Sequence, residues 1–255
     1  MPSDEFTDLP LFRELRKACV RASAEFAMIA DGDRLLVGVS GGEDSLVLMH
    51  LLADIQRRAP FSFELHGVTI DMGFADADVA ALHDYCEQQG WHHELVPFPI
   101  RQMIEDKELQ DTPCCICSRM RRGQIHHTAR RFGCGTIVLG HQLDDLCVSL
   151  LLSLFRGQGL TTMAPNTEAD SGRLRLIRPL CRVPKSQIHE LATAMQLPRF
   201  GKCDYADQLQ ANGDRAALER LLDELSPRFP DIRQSMAASM ANLQTRHLLD
   251  LNHLP

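Results

Sequence analysis

Three short segments of this 255-residue chain carry side chains that could do chemistry. The first follows an apolar run and consists of Ser40, Gly41, Gly42, Glu43, Asp44 and Ser45. Glycines let backbone N–H groups approach phosphate oxygens, serine hydroxyls can donate to them, and Asp44 can hold Mg²⁺. A glycine turn that only caps a helix is the simpler interpretation. The order of strand, loop and helix instead favours a phosphate-binding loop at a helix N-terminus.

The second segment is a group of three cysteines, Cys114, Cys115 and Cys117, just ahead of a predicted helix that begins near Ser118. The C-x-x-C spacing of Cys114 and Cys117 lets two thiolates reach one metal ion or cluster. No second C-x-x-C completes a zinc site, so a redox pair is an alternative. A further ligand would come from elsewhere in the chain; the candidates are Cys203, Cys181, Cys134 and Cys147.

Another loop of the phosphate-binding kind comes later in the chain. It consists of Gly140, His141, Gln142, Leu143, Asp144 and Asp145, again after an apolar run and before a helical pattern. Asp144 or Asp145 can bind Mg²⁺ or transfer a proton, although acids are also favoured at helix N-termini by the helix dipole. Asp71, which ends another apolar run, is a third candidate at the same edge of the predicted sheet.

The elements that must position these loops alternate between strands and helices. Short apolar runs predict buried strands at 35–39, 63–70, 93–98, 136–139 and 174–177. Helical spacing of apolar residues predicts helices at 11–30, 45–57, 76–89, 118–132 and 143–155. The pattern predicts an α/β fold with a doubly wound, Rossmann-like parallel sheet, whose ligands bind at the carboxyl ends of the strands.

The pattern changes after residue 184, where only helical segments follow, at 185–195, 215–225 and 233–249. We therefore expect an α/β core over residues 1–180 and a helical region over residues 181–255. No apolar run approaches the roughly 20 residues that cross a bilayer, and the first ten residues do not form an export signal. These features, together with nine cysteines expected to be reduced, predict a cytoplasmic protein without a membrane contact.

The charge distribution bears on the partner. The net charge is −7, which by itself argues against a polyanionic partner. Two stretches nevertheless contain no acidic residue. The stretch at 112–136 holds Arg119, Arg121, Arg122, His126, His127, Arg130 and Arg131, and the second holds Arg173, Arg175, Arg178, Arg182 and Lys185. Such basic surfaces could contact nucleic-acid phosphates.

These motifs resemble those of a known superfamily. The loop at 40–45 resembles the S-G-G-x-D-S signature of the PP-loop, or N-type, ATP pyrophosphatases, and the Gly-His-x-x-Asp-Asp order at 140–145 is similar to their second nucleotide motif. Residues 114–123 read C-x-x-C-S-R-x-R-R-G in outline and resemble the tRNA 2-thiocytidine synthetases of that superfamily. The likeness runs from about Phe12 to Leu249.

The resemblance implies a complete set of functional residues. ATP and Mg²⁺ would bind at Ser40, Gly41, Gly42, Asp44, Ser45, Asp71, Gly140, His141 and Asp145. Catalytic roles would fall to Asp44, Arg121 and Asp144, and a 4Fe-4S cluster to Cys114, Cys117 and Cys203. The implied reaction replaces the C2 oxygen of a cytidine in the tRNA anticodon loop by sulfur. The implied partners are tRNA, a sulfur donor such as a cysteine desulfurase, and a second copy of the chain in a homodimer.

The chain departs from the family pattern at specific positions. Glu43 stands where most relatives carry lysine, and Gln142 and Leu143 lie where the family has histidine and arginine. Three other functions therefore stay open at this point. They are a PP-loop sulfurtransferase acting on another base or a small molecule, a ligating enzyme of the lysidine synthetase kind, and a non-catalytic iron-sulfur sensor.

Overall fold

The computed structural model describes residues 6–74, 78–106, 113–169, 174–201 and 213–248. Six strands form one sheet: β1 (Arg34–Gly38), β2 (Glu64–Asp71), β3 (His93–Pro97), β4 (Thr136–Val138), β5 (Asn166–Ala169) and β6 (Leu174–Ile177). Their order is β3-β2-β1-β4-β6-β5, and every pair is parallel except β5 with β6. The predicted α/β fold with a parallel sheet is confirmed.

Helices connect and flank these strands. They are α1 (Pro10–Glu25), α2 (Glu43–Arg58), α3 (Val79–Gln88), α4 (Ile100–Asp106), α5 (Pro113–Arg131), α6 (Leu143–Phe155), α7 (Lys185–Ala194), α8 (Asp214–Leu225) and α9 (Ile232–Met240). A short 3₁₀ turn follows at Thr245–His247. In the described part of the chain, no helix is long and apolar enough to cross a membrane.

The sheet is buried on both faces, as expected for a parallel sheet covered by helices. Leu35, Leu36 and Val37 of β1 are each fully buried. Leu35 and Val37 belong to the large core formed with α1, α2 and α7. Leu36 instead packs with Ala129 of α5 in a second core. This alternation fixes β1 at the centre of the sheet, so that the loop after it emerges between the two helical layers.

The helical region after residue 180 packs in two different places. Helix α7 joins the large core through Ile188 and Leu191, both fully buried. Helices α8 and α9 pack on α6, where Leu218 and Leu222 contact the buried face of α6. The domain boundary near residue 180 stays a prediction, because α7 lies after that boundary and shares the core of the residues before it.

Some predicted elements differ from the structure. Helix α5 begins at Pro113 and not near Ser118, so the C-x-x-C pair lies in its first turn. Proline is favoured in the first helical turn because its fixed φ suits the helix and because an N–H group there would have no acceptor within the helix. Helix α9 ends at Met240 and not at 249. Helix α4 and the polar edge strand β5 lacked an apolar pattern that would have predicted them.

Candidate functional site

The loop between β1 and α2 is closed by its own serines. The Ser45 hydroxyl accepts from the backbone N–H of Ser40 at 3.1 Å and donates to the Gly42 carbonyl at 2.9 Å. Gly41 has a φ of +80°, and a Cβ there would lie 3.1 Å from Cβ of Phe200. Only glycine suits this position. Gly42 is the N-cap of α2 and has no side chain to satisfy the first N–H groups, which are thus available to an anion.

The second predicted loop lies directly against the first. A Cβ on Gly140 would come within 3.3 Å of the backbone carbonyl of Asp44 and of the Ser45 nitrogen. The loop after β4 therefore approaches the first turn of α2 as closely as backbones can pack. The structure brings together the two segments that the sequence analysis assigned to one sheet edge.

The two acids of the second loop are held by other side chains. Gln142 caps α6 by accepting from the N–H groups of Asp144 and Asp145 at 2.6 and 3.2 Å. Asp144 is 7% exposed, pairs with Arg233 of α9 and accepts from the backbone N–H of Lys185 at 2.8 Å. These contacts anchor α6 to the C-terminal helices. The catalytic role predicted for Asp144 stays a prediction.

Asp145 and Asp44 lie close enough for their charges to interact. Arg215 of α8 lies 3.5 Å from the Asp145 carboxylate. Burial raises the pKa of Asp145. The pKa of Asp44 is raised to about 6, mainly by burial and also by the Asp145 carboxylate, against the opposing charge of Lys185. Among the described residues, Asp44 has no ion-pair partner within 4.0 Å. A carboxylate in this state gains from a divalent cation.

Glu43 does not point at the loop's own N–H groups in this structure. Its Oε2 lies 2.8 Å from Nδ1 of His189 on α7. The pair is partly exposed, with 37% of the Glu43 side chain and 62% of the His189 side chain accessible. The residue that departs from the family pattern is therefore engaged by a helix far along the chain.

His141 is a half-buried hydrogen-bond acceptor. Nε of Arg178 donates to its Nδ1 at 3.3 Å. The pKa of His141 is lowered to about 4, mainly by burial and also by the charges of Arg178, Arg215 and Arg121. Arg121 of α5 therefore acts electrostatically on the second loop, which places it on the same side of the molecule as the two loops.

The cysteine segment lies at the end of β2. Sγ of Cys117 donates to Sδ of Met72 at 3.4 Å. Met72 directly follows Asp71, whose carboxylate accepts from the N–H of Gly73 at 2.9 Å. The carboxyl ends of β1, β2 and β4 therefore carry the phosphate loop, Cys117 with Asp71, and the second loop, respectively. The side chain of Cys114 and the whole of Cys203 lie outside the described residues.

The other candidate ligands are core residues. Cys181 is 3% exposed, and burial raises its pKa to about 11. Cys134 is buried next to the amino end of β4, at the opposite edge of the sheet from Cys117. Cys147 is fully buried on α6, and burial raises its pKa to about 11. Burial makes all three poor thiolate ligands, and Cys203 as third ligand stays a prediction. Cys19 and Cys86, predicted to be core residues, are fully buried.

Comparison with known proteins agrees with this arrangement. A family model described as the PP-loop domain matches residues 15–202. The tRNA-cytidine(32) 2-sulfurtransferase of Geobacter sulfurreducens is 37% identical over 97% of this chain and 96% of its own length. The protein of the same name from Pelobacter propionicus is 38% identical over 98% of this chain and 93% of its own length. The chain belongs to this family of PP-loop sulfurtransferases.

A solved structure supports the fold of this family member. The U34-tRNA thiolase NcsA from Methanococcus maripaludis, determined with its [4Fe-4S] cluster, superposes with a TM-score of 0.70. The match covers 96% of this chain and 80% of that chain, at 20% identity. At this identity the likeness concerns the fold alone.

The residues that the sequence analysis missed all come from late in the chain. They are Arg178, Lys185, His189, Arg215 and Arg233. Arg178 and Lys185 were noted only as members of a basic stretch, and the other three had no motif around them. An isolated histidine or arginine on a helix carries no local signal of its partner, so only the packing of α7, α8 and α9 reveals these contacts.

Proposed function

We propose that this chain is an ATP-dependent tRNA sulfurtransferase that converts a cytidine of the anticodon loop to 2-thiocytidine. The observation that carries the proposal is the nearly full-length similarity to two tRNA-cytidine(32) 2-sulfurtransferases. The meeting of two anion-binding loops and a C-x-x-C helix at one sheet edge supports it. A tRNA substrate places the reaction in the cytoplasm.

The nucleotide site of the proposal uses the residues predicted from sequence. The N–H groups at the start of α2, with Ser40 and Ser45, hold the phosphates. Asp44 binds the Mg²⁺ that screens their charge, since it lies in the first turn of α2 and has no ion-pair partner among the described residues. Gly140, His141 and Asp145 close the phosphate side, and Asp71 lies at the adenosine side.

Activation and sulfur transfer are separate steps. The C2 oxygen of cytidine attacks the α-phosphorus of ATP, and pyrophosphate leaves with the electron pair of the broken P–O bond. A sulfide-level sulfur then forms a bond to C2, and AMP departs with the former C2 oxygen. Arg121, one turn after Cys117 on α5, stabilises the charge that develops at the activated base. A cysteine desulfurase is the proposed donor; it delivers sulfur as a persulfide, so a thiol reductant must supply two electrons to bring that sulfur to the sulfide level. A homodimer is the proposed assembly.

The ligands fit a cluster at the start of α5. Cys114 and Cys117 are three residues apart in α5, a spacing that allows two thiolates to reach one cluster, and the thioether of Met72 contacts the thiol of Cys117. Cys203 would be the third ligand. A 4Fe-4S cluster with three cysteine ligands supplies, when bound, one iron that is open to the sulfur to be transferred.

The proposed tRNA surface is narrower than the two basic stretches. In the second stretch, Arg175 pairs with Asp33, Arg182 with Glu25, and Lys185 with Glu219. Arg119, Arg121 and Arg122 of α5 are exposed, beside the predicted cluster ligands. We therefore assign the tRNA backbone to α5. Affinity for tRNA should fall steeply with added salt, and a flat response would contradict this assignment.

The experiment that tests the function is mass spectrometry of nucleosides from total tRNA, with and without this gene. Deletion should remove 2-thiocytidine, and the wild-type gene should restore it. A Cys114→Ser variant should not restore it, whereas Cys134→Ala, a change at a buried cysteine on the opposite edge, should do so. An unchanged nucleoside profile on deletion, in a cell with no second relative, would move the substrate away from tRNA cytidine.

A further inference from the structure

Glu43 places a negative charge at the first residue of α2, inside the loop proposed to hold a triphosphate. Three other carboxylates lie nearby, those of Asp44, Asp144 and Asp145. A free carboxylate at this position would repel the phosphates and compete for the N–H groups at the helix N-terminus. Nucleotide binding therefore requires that something control the Glu43 side chain.

The structure shows what holds that side chain. His189 Nδ1 lies 2.8 Å from Oε2 of Glu43. Because a carboxylate can only accept, Nδ1–H is the donor. His189 lies on α7 between two core contacts, since Ile188 and Leu191 are both fully buried in the core that α7 shares with α2. The imidazole thus projects from a fixed helix and not from a mobile loop.

The same edge of the sheet shows how the other acids are treated. Asp144 is paired with Arg233 and Asp145 with Arg215, both from helices late in the chain. Glu43 is the third carboxylate held in this way, by His189. Asp44, which the proposed function gives to Mg²⁺, has no such partner among the described residues. The charge of Glu43 already adds to the field that acts on Asp44.

We propose that His189 is a positioning residue for nucleotide binding: its hydrogen bond holds the Glu43 carboxylate against α7, away from the anion site at the start of α2. This inference rests on the proposed function for the identity of the ligand. The side-chain pair, and not the loop alone, then makes a glutamate compatible with a phosphate loop.

A double-mutant cycle on the full-length protein tests the proposal. The Kd for Mg·ATP is measured by calorimetry for the wild type, His189→Ala, Glu43→Gln and the double variant. His189→Ala should weaken binding about 10-fold, because the released carboxylate faces the phosphates. Glu43→Gln should bind as well as the wild type, and the double variant should match Glu43→Gln. An equal loss from His189→Ala in both backgrounds, or no loss in either, would overturn the proposal.

Two further readouts separate positioning from general damage. In the thiolation assay, His189→Ala should raise KM for ATP and leave kcat at saturating ATP unchanged, and His189→Gln, which keeps an N–H donor, should recover part of the lost affinity. Glu190→Ala, an exposed neighbour on the same helix, should bind Mg·ATP like the wild type. If the wild type binds no ATP, the proposed function fails; if it binds ATP and His189→Ala binds equally well, only this inference fails.

Discussion

Helices α2 and α6 have similar sequence features at their N-termini, but the acidic side chains there have different partners. Each follows a parallel strand, has a loop containing glycine, and carries two acids in its first turn. In α6, both acids are capped or paired by Gln142, Arg215 and Arg233. In α2, Glu43 is paired and Asp44 is not. Similar N-terminal sequences therefore have different roles. The acids of α6 anchor it to other helices, whereas Asp44 of α2 is available to a ligand.

Burial shifts the pKa values of titratable groups in both loops towards the neutral form, and neighbouring charges add to the shifts. At α2, burial raises the pKa of Asp44 to about 6, and nearby carboxylates reinforce the change. At α6, burial lowers the pKa of His141 to about 4, and arginines reinforce it. Carboxylates suited to a metal ion and arginines suited to phosphate therefore meet at this edge of the sheet. A Mg²⁺–triphosphate complex between them matches both.

The largest effect should come from removing the unpaired acid. Asp44→Asn should reduce thiolation by more than about 100-fold, because the Mg²⁺ ligand is lost. Its melting temperature should equal or exceed that of the wild type, since a half-buried carboxylate with a raised pKa destabilises the folded state when ionised. Calorimetric melting and single-turnover assays measure the two quantities. The exposed Asp84→Asn is the matched control and should change neither; a lower melting temperature for Asp44→Asn would make Asp44 an anchor like Asp144.

Breaking the ion pair between Arg233 and Asp144, which anchors α6, should instead lower stability. Arg233→Ala leaves the carboxylate of Asp144, 7% exposed, without its guanidinium. We expect a loss of about 2–4 kcal/mol in the free energy of unfolding, as for other buried ion pairs that lose one partner. Urea denaturation measures this loss, with the exposed Arg228→Ala as control. A loss below about 0.5 kcal/mol would mean that α9 does not anchor α6.

The pH dependence of stability should report the titration of His141, which lies near several arginines. The folded-state pKa of His141, about 4, lies below its unfolded value, so its contribution is complete above about pH 6.5 and is lost as the pH falls from there towards 4. Between pH 7 and pH 5 the wild type should therefore lose about 1–2 kcal/mol more than His141→Gln. Urea midpoints at the two pH values measure the difference. Equal losses in both proteins would show that burial and the nearby arginines do not lower the pKa of His141 in the folded state.

The sequence predicted the α2 side of this comparison better than the α6 side. The phosphate loop, the second loop and the strands before them are contiguous patterns, and a parallel sheet necessarily brings the ends of its strands to one edge. The partners of Asp144 and Asp145 lie far away in sequence, at Arg233 and Arg215, in helices whose only visible feature was apolar periodicity. Long-range ion pairs depend on how helices dock, which no local pattern encodes. The predicted start of α5, near Ser118, was also too late, because the apolar pattern did not extend back to Pro113.

The smallest effect on stability is expected from removing Arg215. Arg215 lies 3.5 Å from Asp145, and about half of its side chain is exposed, so solvent screens the pair. Arg215→Ala should therefore change the free energy of unfolding by less than about 0.5 kcal/mol, in contrast to Arg233→Ala. If its positive charge instead serves the phosphates, KM for ATP should rise about 3-fold, and Arg215→Lys should restore it. A change in stability without a change in KM would place Arg215 with the anchors of α6, and leave Asp145 held as firmly as Asp144.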